Sequence, residues 1–108
     1  MNAKPVLRRK SARIDIEVAA DHYEQEAGQD VALRFADAVE AAFRVIGERP
    51  GTGSSLWAER LGIAGLRSRA VARFPYLIFY SEHEEHVEVW RVLHARRDIP
   101  ATLGGEDS

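Results

Sequence analysis

The sequence predicts an α+β domain in which a two-helix antiparallel hairpin packs on one face of a four-stranded antiparallel sheet, in the order β-α-α-β-β-β. Three observations carry this. Residues 66–98 hold three strand-like runs rich in β-branched and aromatic side chains, Leu66–Phe74, Tyr76–Tyr80 and Val87–Leu93, divided by Pro75 and by the polar turn Ser81-Glu82-His83-Glu84-Glu85-His86. Residues 11–47 place apolar side chains at helical spacing, broken only at Gly28-Gln29. A chain of 108 residues, 45% of them hydrophobic, suits one core and not two.

The N-terminal strand is expected at Val6 and Leu7, between Pro5 and the basic run Arg8-Arg9-Lys10, whose charge discourages edge-to-edge pairing. Ser11 has the side chain of an N-cap, and from it Ala12, Ile16, Ala19, Tyr23 and Ala27 recur on one helical face, with Ile14 and Val18 beside them, until Gly28 stops the helix. The second helix runs from about Asp30 to Gly47, with Ala32, Phe35, Ala36, Val39, Phe43 and Ile46 on one face and Arg34, Asp37, Glu40 and Arg44 on the other. So short a link forces the two helices antiparallel. Pro50, Gly51 and Gly53 then close this half, and Leu56–Leu61 is expected as a turn or loop that lays Trp57 and Leu61 on the domain.

Side-chain alternation in the sheet separates its faces. In the first run Arg67, Arg69 and Arg73 share a parity with Val71, while Leu66, Ala70, Ala72 and Phe74 share the other. The second and third runs are apolar on both sides, with Tyr76, Ile78 and Tyr80 opposed by Leu77 and Phe79, and Val87, Val89 and Leu93 opposed by Trp90 and Val92. One pair of helices covers one face. The other face then needs a partner segment, the Trp57 loop, a curled sheet or a second copy of the chain. Residues 1–98 are expected to form the single domain and 99–108, Ile-Pro-Ala-Thr-Leu-Gly-Gly-Glu-Asp-Ser, a polar, flexible C-terminal tail.

Composition excludes several chemistries. With no cysteine there is no disulfide, thiolate metal site or thiol nucleophile. Of the four histidines only His83 and His86 lie close in sequence, in an exposed turn, so no metal site and no cofactor is expected. No apolar run approaches the roughly 20 residues of a membrane span, and the N-terminus lacks the apolar segment of a signal peptide, which predicts a cytoplasmic protein with no membrane role. The net charge of −2 is uneven: residues 1–10 carry four basic and no acidic groups, residues 11–48 three basic and nine acidic, and residues 49–108 eight of each. A globally basic nucleic-acid binder is excluded.

Several ordered segments carry a resemblance: Ser11 with Asp15-Ile16, the helix ending in Glu48-Arg49-Pro50-Gly51, the strands Leu66-Arg67, Val71, Phe74-Pro75-Tyr76, Ile78 and Tyr80, and above all Arg91-Val92-Leu93-His94-Ala95-Arg96-Arg97-Asp98. Over about residues 5 to 98 the chain resembles the ParE branch of the RelE/ParE superfamily, the toxins of type II toxin–antitoxin systems. The resemblance implies a RelE/ParE-like fold, a ParD-type antitoxin that neutralises the toxin within a hetero-oligomer, DNA contact only through that antitoxin, and DNA gyrase as the target whose inhibition stalls replication. It implies action by binding and not by covalent chemistry. Arg67, Arg69, Arg73, Tyr76, Ile78, Tyr80, Arg91, Arg96 and Arg97 are then the candidate antitoxin- or target-binding residues.

The alternative is a RelE-like, ribosome-dependent mRNA endoribonuclease, independent of metal. That chemistry needs cations on phosphate and a proton-transfer group near the 2′-hydroxyl. Arg67 and Arg91, with Arg69 and Arg73, would supply the charge, and His94, with a reference pKa of about 6.5, or Glu59 the proton transfer. The lysine-rich patch and late tyrosine of the RelE type are missing, since no lysine follows Lys10 and no tyrosine follows Tyr80.

Overall fold

The computed structural model describes residues 3–107. Its elements are β1 (Val6–Arg8), α1 (Lys10–Ala27), α2 (Gln29–Glu48), a 3-10 turn (Pro50–Thr52), α3 (Leu56–Leu61), β2 (Leu66–Ala70), β3 (Tyr76–Glu82), β4 (Val87–His94) and α4 (Ile99–Asp107). The sheet order is β1-β4-β3-β2.

The sheet is mixed, which corrects the expectation of an all-antiparallel one. β2–β3 and β3–β4 are antiparallel hairpins, whereas β1 runs parallel to β4, with Val6 opposite Val87 and Arg8 opposite Val89. A parallel pair needs a long crossover, and the helical hairpin supplies one between β1 and the rest of the sheet. Gly47 lets β1 lie close to α2: the Lys4 N–H donates to the Gly47 carbonyl at 3.0 Å, and a Cβ at Gly47 would sit 2.8 Å from the Lys4 carbonyl oxygen.

The hairpin itself is as expected. Gly28 takes φ 94°, a backbone region that costs an L side chain but not glycine, and turns the chain straight from α1 into α2. Phe35, Val39, Phe43 and Ile46 of α2 and Ala12 and Ala19 of α1 pack on Ile78, Tyr80, Val87, Val89 and Val92 of the sheet. Fully burying one such large apolar side chain contributes about 1.5–3 kcal/mol before ordering costs.

Three local expectations change. Ser11 does not cap α1; the helix begins one residue earlier and Ser11 Oγ instead donates to the Trp90 carbonyl at 3.1 Å. The run Leu66–Phe74 is strand only to Ala70, because the chain must turn tightly before Pro75 and Arg73 adopts φ 70°. Leu56–Leu61 is a short helix closed by Gly62 in the left-handed conformation, and Trp57 and Leu61 do pack on the domain.

The largest correction concerns the second face. Residues 99–107 form α4 instead of an irregular tail, and Ile99 and Leu103 are buried against Ile63, Leu66, Phe79, Trp90 and Leu93. Asp98 caps it, its Oδ1 accepting the Ala101 N–H at 3.2 Å, and Pro100 occupies the first turn, where its missing N–H costs nothing. Phe79 and Trp90 are thus shielded by the chain itself on this face, as Ile78 is under the helical hairpin on the other, and the expected need for an outside chain to cover the second face falls away.

Candidate functional site

Beyond Val89 the margin of β4 has no strand beside it, because β1 is only three residues long, and α1 takes that place. The Arg9 N–H donates to the Val89 carbonyl, Ser11 Oγ to the Trp90 carbonyl, and the Val92 N–H to Asp15 Oδ2 at 2.9 Å. A bulge sits here, where one step on β3 (Phe79 to Tyr80) faces two on β4 (Arg91 to Val89). Arg91 then meets Asp15 with two contacts of 2.7 Å, Nε to Oδ2 and Nη2 to Oδ1. The guanidinium is held by a neighbouring carboxylate.

Arg67 and Arg69 do share a face of β2, as their parity implies, and both reach the loop after α2. Arg67 Nη1 donates to the Gly53 carbonyl at 2.8 Å and Arg69 Nη2 to Thr52 Oγ1 at 2.7 Å. Tyr80 joins them, donating its hydroxyl to the Pro50 carbonyl at 2.6 Å. Burial pushes its phenol above the ordinary tyrosine value and keeps it a donor, against the lowering pull of Arg69, Gly53 and Arg67. These three side chains fasten residues 50–53 to the sheet.

The remaining candidates lie apart. Ile78 and Tyr80 are fully buried, so the expectation that they offer surface to a partner is corrected: strand parity turns both under the helical hairpin. Tyr76 is half-buried in an aromatic cluster with Tyr23, Phe35 and His94, and burial raises its phenol pKa. His94 ends β4, packs edge-on against Tyr76 at 5.2 Å, and accepts the Arg96 N–H on Nδ1 at 3.1 Å. Arg96 and Arg97 are exposed just after it, and Arg97 lines a shallow groove with Ile14, Val18, Arg91 and His94. Arg73 is exposed at the β2–β3 turn, beside α2.

The alternative catalytic set is not gathered. Arg67 lies opposite Tyr80, which lies opposite Val89, while His94 lies opposite Tyr76 at the other end of the sheet. Glu59 is exposed on α3, whose Trp57, Ala58 and Leu61 pack with Leu66, Phe79 and Trp90. The rings of His83 and His86 stack at 4.7 Å in the hairpin turn, and among the described residues no group of three or more histidine, cysteine or acidic side chains could hold a metal ion.

Two structural features escaped the sequence reading. Asp15 entered it only as part of the family resemblance, with no role of its own, since a single carboxylate in an acidic helix reads as solvent-facing; its spacing of four from Ser11, placing both on one helical face, was the available clue. The alanines of α2 at 38, 41 and 42 played no part in the sequence reading, yet with Ala70 and Ala72 they line a groove beside the end of β2.

Residues 6–99 match the family described as the ParE toxin of type II toxin-antitoxin system, parDE. No curated protein matches the chain. Among solved structures, a chain of the chromosomal ParDE TA system from P. aeruginosa is similar with a TM-score of 0.72 at 16% sequence identity, over 85% of this chain and 96% of that one, a likeness of fold. No helix among the described residues is long and apolar enough to cross a membrane. The β-α-α-β-β-β core that carries Asp15, Arg91 and the arginine-fastened loop lies within the matched span, and the chain belongs to the family of ParE toxins of type II toxin–antitoxin systems.

Proposed function

We propose that this ParE-family toxin acts in the cytoplasm by binding DNA gyrase and blocking its turnover, without covalent chemistry of its own, and that a ParD-type antitoxin holds it inactive in a hetero-oligomer that touches DNA only through the antitoxin. The observation that carries the choice of binding over cleavage is the scatter of the groups a nuclease would need. Arg91 is committed to Asp15, Arg67 to the Gly53 carbonyl, and His94 stands at the far end of the sheet from Arg67. A transition state on phosphate requires such groups to converge within hydrogen-bond reach. The exposed Arg96 and Arg97, just past half-buried His94 at the end of β4, are the cationic surface suited to a target contact.

The test adds purified chain to a gyrase supercoiling reaction and to a translating ribosome extract. Loss of supercoiling with intact mRNA is expected. Codon-positioned mRNA cuts with unchanged supercoiling would overturn the reading in favour of the ribonuclease.

A further inference from the structure

Helix α1 carries its charges against its own dipole. The aligned peptide groups of a helix leave partial positive charge at the N-terminus and partial negative charge at the C-terminus, so acids are favoured at the start and bases at the end. In α1 the order is reversed. Lys10 and Arg13 open it and Glu17, Asp21, Glu24 and Glu26 close it, with no acidic side chain in the first turn and no basic one in the last. Glu17 and Asp21 also stand four residues apart, a spacing at which like charges repel. Lys10, Glu17 and Asp21 are exposed, and none of them forms an ion pair among the described residues.

The middle of the same face is apolar. Ile14 and Val18 are 47% and 63% exposed, and at a spacing of four they stand one above the other on the outer side of α1. Lys10 lies about one turn before Ile14 and Asp21 about one turn after Val18, so a single stripe reads cation, isoleucine, valine, anion. The apolar surface continues sideways into a groove of about 320 Å³ whose lining includes Ala19, Tyr76 and Val92. Leu7, Leu33 and Leu56, the other exposed large hydrophobic side chains among the described residues, each lie on a separate element.

From this stripe we propose that α1 is the docking face for a second copy of this chain, set antiparallel about a two-fold axis that passes between Ile14 and Val18. A two-fold contact joins one patch to its own image and so requires self-complementarity. Turning a copy of α1 end for end lays Ile14 beside Val18 of the second copy. Lys10 stands four residues outside Ile14 and Asp21 three outside Val18, so Lys10 comes level with Asp21 of the second copy to within about 1.5 Å along the axis. Arg13 passes within one turn of Glu17 of the second copy, and every contact occurs twice. The basic, dipole-positive start of each helix then runs along the acidic, dipole-negative end of the other, which offsets the adverse charge order of the lone helix. A parallel pairing would set Lys10 on Lys10 and Asp21 on Asp21. A uniformly acidic or uniformly basic segment would be repelled at one end of the stripe. Few side chains take part, and the association belongs to the weak end of specific interfaces.

Sedimentation velocity of the purified full chain over about 10 µM to 1 mM tests this, and a monomer–dimer equilibrium is expected. Val18→Glu places a charge at the axis and should abolish association in that range, whereas Leu56→Glu, on α3, should leave it unchanged. Lys10→Glu and Asp21→Lys each set like charges together at both ends of the contact, and each should weaken self-association by ~10-fold or more. Carried on one chain, Lys10→Glu/Asp21→Lys exchanges the signs and should restore the wild-type equilibrium. An equimolar mixture of the two single variants should form a mixed dimer, because both ends then carry opposite charges. A contact made elsewhere on the surface would respond to none of these exchanges.

A chain that stays monomeric up to about 1 mM would overturn the proposal, as would a dimer indifferent to Val18→Glu and to both charge reversals. Amide resonances of residues 10–22 that hold still on concentrating the chain, and move only when the protein encoded by the adjoining reading frame is added, would give the face to that partner and equally overturn it.

Discussion

Asp15 and Arg91, 76 residues apart in the chain, meet through two parallel contacts of 2.7 Å along one guanidinium edge, and the same carboxylate takes the Val92 N–H. One side chain of α1 thereby closes the charge and the backbone of a bulged strand. The pair is largely withdrawn from water, with side-chain exposures of 8% for Asp15 and 16% for Arg91. Breaking a buried pair costs more than deleting it whole, because an unpaired charge stays behind. Asp15→Ala is expected to destabilise by about 3–5 kcal/mol, and Asp15→Leu with Arg91→Met together by less than Asp15→Ala alone. Urea denaturation midpoints of the three variants decide this; a double variant worse than the single would contradict the account.

Tyr80 tethers the loop after α2 through a single hydroxyl. Tyr80→Phe keeps the ring in the core and removes only the bond to the Pro50 carbonyl, for an expected cost of about 1 kcal/mol. The sharper readout is local: limited proteolysis should nick residues 49–55 faster, and Arg67→Ala should do the same. Unchanged cleavage there in both variants would mean the loop is held by something else.

The second face depends on α4. Leu103 is fully buried, and Leu103→Ala is expected to cost about 2–5 kcal/mol through lost contact and a cavity. Ending the chain after Asp98 should expose Trp90 and Phe79 and raise the fluorescence of an added apolar dye such as ANS. If truncation changes neither dye binding nor thermal midpoint, α4 is not the cover described above.

Glu88 accepts Nε of Arg9 at 3.0 Å, and that hydrogen bond, opposed by desolvation, holds its carboxyl below the ordinary value. A carboxyl depressed in the folded state contributes stability that is full above its unfolded pKa of about 4.3 and is lost as pH falls through the lower folded value. Stability of the wild type should therefore drop more steeply below about pH 5 than that of Glu88→Gln, measured as unfolding free energy between pH 7 and 3. Parallel curves would show that the pair does not contribute.

Much of the fold was legible because hydrophobic periods are long-lived signals: Phe35, Val39, Phe43 and Ile46 mark α2, and the alternation around Tyr76–Tyr80 marks a strand covered on both sides. What stayed hidden was carried by few residues. Three residues in β1 say nothing of direction, which the crossover decides. α4 offers only Ile99 and Leu103 as an apolar stripe, diluted by Gly104 and Gly105, although Asp98 and Pro100 formed a readable helix start. Parity put Arg67 and Arg69 together correctly, but not Arg73, whose positive φ belongs to the turn. Whether a charged side chain meets solvent, a loop or a carboxylate from 76 residues away depends on tertiary approach, and so Arg91 looked available until Asp15 was found beside it.

The helix that stands in for a missing neighbour along β4 also limits how such molecules can assemble. A sheet with two ragged borders can be extended from either and so propagate into a filament; here one border is stopped by Arg9, Ser11 and Asp15 and by a three-residue strand tied back to Gly47. Along β4 beyond Val89 a recruited strand would have to displace α1 and the side chains that already take its main-chain groups. Growth from that stretch of the sheet is closed to this protein by its own first helix.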